Sequence, residues 1–247
     1  MWIFDLLFGK KNAEVKNVEA QKYEDEALVM MAAKLKEKFD QGENANPESE
    51  EVLRKIRWYS AEATRLKKEH PDKAIEILRK QERLSAAFSG MAAGMEVRER
   101  IATVLYEAGR FEEAWSLLMD EYARLRRWEL PGGAGGKKDF ERNLAALHLY
   151  RKMRTCAERM RDYRMGVVFA MAEMYAGAEN HVHTMGEYGY ETEPKWVPVE
   201  KNLKRANMET ALPALRELFA RYSSCGMTCE KCWKMVDEVI AVLRECP

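Results

Sequence analysis

The stretch Leu105-Tyr106-Glu107-Ala108-Gly109-Arg110-Phe111-Glu112-Glu113-Ala114-Trp115 constrains the fold more than any other. An apolar helical pattern runs into Gly109, a residue suited to the left-handed position that ends a helix because it has no Cβ to clash there. Phe111, Ala114, Trp115 and Leu118 then recur at spacings of three and four, the stripe of a second helix. The small side chain of Ala114 lets two antiparallel helices approach closely. The prediction is a helical hairpin.

Helical periodicity covers most of the remaining chain. A first helix is expected from Tyr23 to Asp40, with Ala27, Leu28, Met31, Leu35 and Phe39 as its apolar stripe. Asn46 and Pro47 signal the start of a second, running to about His70, and Pro71 separates it from a third over Asp72 to Ser89. The hairpin helices follow, Met91 to Ala108 and Arg110 to Trp128. The glycine-rich run after Pro131 is a connection. Two more helices are predicted over Phe140–Met160 and Tyr163–Ala178. Residues 179–198 carry glycine, proline and aromatics without helical period and read as a long loop. Helix resumes near Glu200, is disturbed at Pro213, and closes over Thr228 to Glu245. No segment alternates like a strand. The fold class is all-α, an irregular array of antiparallel helical hairpins, organised as an apolar segment and tether (1–22), the array (23–178), and a loop with C-terminal helices (179–247).

The hairpin resembles a tetratricopeptide repeat, a helix–turn–helix unit of ~34 residues. Residues 98–126 carry the match: Ile101, Ala102 and Leu105, then Gly109, then Phe111, Ala114 and Leu118. Arg126 stands where the family has its closing proline. A weaker unit over 58–86 has Trp58, Ala61 and Ala74 at the family's spacings, but Pro71 replaces its aromatic. The resemblance implies a stacked helical surface that binds another protein or peptide. First helices of successive hairpins would line its concave face, with Arg98, Arg151 and Arg154 as candidate contacts.

The totals limit other classes. Lys plus Arg and Asp plus Glu both count 41, so no whole-molecule field points to nucleic acid or membrane. No apolar run approaches the ~20 residues of a membrane-spanning helix. Lys10 and Lys11 follow the apolar stretch Trp2–Phe8, the reverse of a secretory signal. With five cysteines, an odd number, this fits a reduced cytoplasmic chain.

Cys225, Cys229 and Cys232 are the sharpest chemical signal, spaced four and three apart so that their thiols share one helix face. The cysteines are unligated thiols packed between helices, or three thiolates joined by Cys156, His181 or His183 close a structural zinc site, or they form a disulfide or hold an iron–sulfur cluster. Their C-x3-C-x2-C spacing is also similar to the cluster motif of radical S-adenosylmethionine enzymes. That family sets the motif in an α/β barrel, which this helical chain does not suggest. The run Gly132–Lys138 imitates a phosphate loop but has no preceding strand, and Lys138 stands where a hydroxyl residue is required.

Between Arg124 and Arg164 basic residues outnumber acidic ones, with Trp128, Tyr150 and Tyr163 interleaved. This tract suits an acidic peptide or a nucleic-acid backbone, the second functional reading. Trp2, Phe4 and Phe8 lead an apolar N-terminal segment that can cap the array, dock in a partner's groove, or touch a membrane weakly. No catalytic set is legible: none of His70, His148, His181 and His183 adjoins a nucleophile motif. The sequence therefore predicts a non-enzymatic protein-interaction module or adaptor, without a cofactor unless zinc binds.

Overall fold

The computed structural model describes residues 23–42, 47–128, 137–188, 194–224 and 228–246, with backbone alone at 137–141 and 180–188. Every regular element among these residues is helical, as the periodicity requires. In chain order they are α1 (23–40), α2 (Pro47–Leu66), α3 (Pro71–Ser89), α4 (Met91–Glu107), α5 (Phe111–Arg126), α6 (Lys137–Met160), α7 (Tyr163–Tyr188), α8 (Val197–Ala206), a 3-10 turn (Glu209–Ala211), α9 (Leu212–Ser223) and α10 (Cys229–Glu245). The chain divides into two compact units after Val97, inside α4. The sequence pattern carries no mark of that division, because the helical period continues through it.

In the first unit α1, α2 and α3 enclose a small core of Ala32, Leu35, Val52, Tyr59 and Leu84, ringed by Leu28, Val29, Phe39, Ile56, Ile77 and Phe88. Phe39 meets Phe88 edge to face at 5.8 Å, the arrangement favoured by the ring quadrupoles. The Tyr59 hydroxyl donates to Asp25, whose carboxylate also pairs with Lys80 at 3.1 Å. These bonds tie the start of α1 to both other helices. Ala27, expected on the core stripe of α1, is exposed instead, and Ala32 is fully buried in the seam.

The second unit is built around α7. From Gly166 to Ala172 every residue of this helix is buried, which a helix can tolerate only where apolar neighbours surround it. Helix α6 packs along it most extensively, and α8, α9 and α10 cover other sides. Trp115, Tyr122 and Tyr150 gather on Phe169 with ring centroids 5.8, 5.9 and 6.3 Å from it. Helix α7 runs on through Tyr188 rather than yielding to a loop after Ala178. Pro198 and Pro213 each sit in a helix's first turn, where a missing amide hydrogen costs nothing. They mark starts, and the disturbance expected at Pro213 is a full break between α8 and α9.

The turn of the opening hairpin forms as its glycine predicts. Gly109 has φ +79°, Arg110 donates its amide to the Leu105 carbonyl at 2.9 Å, and Gly109 donates to Tyr106 at 3.2 Å. This pair of bonds is the Schellman closure. Arg161 and Asn207 end α6 and α8 by the same pairing without glycine, at φ 61° and 56°.

A tighter constraint lies at Gly166, where α7 and α8 cross. A Cβ there would fall 2.9 Å from the Asn202 Oδ1 and 3.0 Å from its Cγ. Asn202 cannot swing aside, because its Nδ2 donates at 2.9 Å to both Glu158 and the Pro198 carbonyl. Gly166→Ala is therefore expected to lower stability by roughly 1–3 kcal/mol through overpacking. Urea denaturation would read this as a reduced midpoint at unchanged slope. An unaltered midpoint would contradict the close crossing.

Candidate interaction site

Helix α1 carries two apolar stripes. Leu28, Ala32, Leu35 and Phe39, spaced four, three and four, face the core of the first unit. Tyr23, Ala27 and Met30 continue the same rhythm on another face, and that face is solvated: Tyr23 is 73% and Met30 64% exposed. Isolated exposed apolar residues are ordinary, whereas a contiguous set rimmed by charge marks a contact surface. Ala27 links this face to such a set. Ala27, Leu28 and Met31 floor a groove of about 710 Å³ between α1 and α2, whose far wall is Trp58, 49% exposed. Glu24, Asp25 and Glu51 rim it with negative charge and Arg54 and Lys55 with positive charge. Lys55 lies 5.0 Å from the Trp58 ring centroid, a cation–π contact that holds the indole at the rim.

On the opposite side of α1 a second hollow of about 590 Å³ runs to α3, lined in part by Leu28, Val29, Met30 and Leu84. Methionine suits such a surface, since its unbranched thioether adapts to differently shaped partners. The sequence places Trp58 in the weak repeat unit and Met31 on the core stripe of α1, where Met31 does pack against the core while also facing the groove. The legible signal was the doubled stripe of α1, in which every third or fourth residue on two faces is apolar.

The arginines proposed from sequence lie in the second unit and hold its own carboxylates. Arg98 reaches the fully buried Glu121 at 2.7 Å, and Arg124 reaches the same oxygen at 3.3 Å. Arg151 and Arg154 clasp the two oxygens of Glu173 at 2.9 and 2.7 Å, and Arg154 also binds Glu158 at 2.9 Å. Burial weakens the Arg154 cation, but the hydrogen bonds to Glu173 and Glu158 outweigh it and raise its pKa. Arg142, nearly buried, pairs with Glu230 at 2.7 Å, and its guanidinium lies 5.6 Å from the Trp233 ring centroid. Arg151 is the most open of the three proposed arginines and edges a shallow hollow of about 250 Å³ with Glu173, Met174 and Lys195.

Of the cysteine set, Cys229 and Cys232 open α10 and are both buried. Helix α10 packs on α7, and the Cys232 thiol contacts the Ala172 carbonyl at 3.9 Å. Burial drives the Cys232 pKa well above the ordinary thiol value, the neighbouring Cys229 adds to it, and a hydrogen bond to Tyr150 only partly opposes them. Beside it, the Trp233 Nε1–H donates to the Tyr150 hydroxyl at 3.1 Å within the core. Zinc demands thiolates, and these surroundings favour the protonated thiol.

Among the described residues no three His, Cys, Asp or Glu side chains converge to hold a metal. Cys225 lies outside the described residues. His181 and His183 occupy the C-terminal part of α7, where the backbone alone is described. Trp2, Phe4 and Phe8 also lie outside them. Among the described residues no helix is long and apolar enough to cross a membrane. No family model matches the chain, and no curated protein or solved structure is significantly similar to it.

The buried thiols give a pH signature. Burial, aided by Glu112, pushes Cys156 up to about 11 from an ordinary value of 9.0. The unfolded thiol loses its proton first, so the folded chain binds more protons between these values. This contribution to stability is complete below pH 9 and is lost as pH rises toward about 11. Chemical denaturation across this window should show falling stability, with a shallower fall in Cys156→Ala. In the native protein at neutral pH, Cys156, Cys229 and Cys232 should resist Ellman's reagent while half-exposed Cys246 reacts. Rapid labelling of the first three would contradict their packing.

Proposed function

We propose that the chain is a non-enzymatic, cytoplasmic protein-interaction module, and that the groove between α1 and α2 receives an amphipathic helix or short apolar segment of a protein. The observation that carries this reading is the groove floored by Ala27, Leu28 and Met31, walled by Trp58 at 49% exposure and bordered by both signs of charge. Helix-in-groove recognition needs such a floor for anchors at i, i+3 or i+4 and i+7, with rim charges to set direction. Tryptophan is also among the residues that most often dominate binding energy. The tetratricopeptide-like hairpins supply the kind of scaffold on which such surfaces occur.

The ion pairs of the second unit add support from the other direction. Arg124, Arg142, Arg151 and Arg154 hold carboxylates, which reduces the charge the basic tract has for phosphates. Nucleic-acid binding would require that charge and would weaken steeply with salt. A zinc ion on the cysteine set remains a separate proposal about the order of the C-terminal part, tested by metal analysis of the purified protein beside Cys229→Ser.

The interaction is tested by affinity capture from the source cells with the full chain and with Trp58→Ala and Met31→Asp. Trp58 is 49% exposed and its truncation should keep the parent's melting profile, whereas Met31 also packs against the core, so each variant is captured below its own melting transition. A partner retained by the parent and lost from both variants is expected. Titration of that partner should give at least about a tenfold loss in affinity for Trp58→Ala, the equivalent of 1.4 kcal/mol. Equal capture by all three chains would overturn the groove as the site.

A further inference from the structure

We infer that the apolar N-terminal segment, residues 2–8, occupies the α1–α2 groove in cis and competes with the outside partner for it. This rests on reading the groove as a protein-docking site, and it gives that site its regulation. Position is the first argument. The first described helix begins at residue 23, and Glu24 and Asp25 already line the groove, so the chain outside the described residues ends at the groove's mouth. Residues 9–22 provide up to roughly 45 Å of chain at about 3.3 Å per residue. From Glu24 to Met31 the groove floor extends about 10 Å along a helix rising 1.5 Å per residue. The tether can turn back and deliver the segment with length to spare.

Chemistry is the second argument. The segment Trp2-Ile3-Phe4-Asp5-Leu6-Leu7-Phe8 offers large apolar side chains and one acid, followed by Lys10 and Lys11. The groove offers Ala27, Leu28, Met31 and Trp58 as floor and wall, Arg54 and Lys55 to meet Asp5, and Glu24 and Glu51 to meet the lysines. Charge and apolar surface are thus complementary along the whole segment. Linkage does the rest. A tether of this length holds its end at an effective concentration on the order of millimolar, so even a contact of modest intrinsic affinity is mostly formed. An outside helix then binds with its dissociation constant divided by the fraction of groove left open, and so more weakly.

The test installs photoreactive p-benzoyl-phenylalanine at Phe4 in the full chain and maps the cross-links by mass spectrometry. The expected product has the mass of a single chain, joined to the peptides that carry Met31 or Trp58. Trp58→Ala combined with Met31→Ala should lower its yield about tenfold. Cross-links elsewhere in the chain overturn the inference, and products of twice the mass overturn it in favour of a second copy as occupant. The partner captured by the groove should bind Leu7→Asp several-fold more tightly than the parent, and equal binding would also overturn competition in cis. The two readings fail separately. A partner that needs Trp58 without any Phe4 cross-link to the groove defeats only the cis occupant, whereas the cross-link without such a partner defeats only the outside one.

Discussion

Helix α7 has almost no solvated surface between Gly166 and Ala176, and the second unit follows from that fact. A helix buried all round must satisfy its backbone internally and leave every side chain to packing. Each neighbour then owes it a complementary face. Helix α6 supplies Leu149, Tyr150, Met153 and Ala157, all fully buried, while α8 comes so close at Gly166 that only hydrogen fits. Burial of this kind leaves little room for chemistry. The tyrosines, cysteines and tryptophan on and around α7 are occupied with one another, and the raised pKa values of Tyr122, Tyr150, Tyr175 and Cys232 express desolvation rather than activation.

The first unit has the opposite economy of surface. Three helices close over a small core, and α1 contributes one stripe to it while a second stripe stays in water. Burying that second stripe would require another helix, and among the described residues none lies on it. The groove of Ala27, Leu28, Met31 and Trp58 is thus an incomplete seam. Its apolar area stabilises nothing until something covers it, which makes covering it favourable at roughly 25 cal/mol per Å² before the costs of association. The cis segment and an outside helix are two ways to complete one seam.

Much of this architecture was legible in the chain. The helix pattern, the glycine turn at Gly109 and the proline break before α3 follow from local rules, because each depends on residues within a turn or two of one another. Reading failed where local signals and packing disagree. Residues 179–188 looked like loop, with glycine and two histidines, yet they continue α7. Glycine and β-branched residues lower helix propensity by only about a kilocalorie each, and a long packed helix overrides that. Of the three cysteines whose spacing suggests a shared face, Cys229 and Cys232 open α10 and are buried. That the face turns toward α7 and the core is a fact of tertiary packing that spacing does not carry.

The arginines make the same point about charge. Sequence showed an excess of basic residues from Arg124 to Arg164, and it could not show that their partners sit on other helices. Glu121, Glu173 and Glu230 pair with arginines on other helices, beyond any i to i+4 rule. By itself the sequence determined the class of element, most of the helix starts and stops, and an apolar stripe on α1, since periodicity and capping are local physics. Only the tertiary structure decided which apolar residues of α1 are buried, which arginines are matched, and where the chain divides into two units. Those outcomes depend on which surfaces meet across long sequence separations, and a one-dimensional pattern leaves several such meetings equally satisfied.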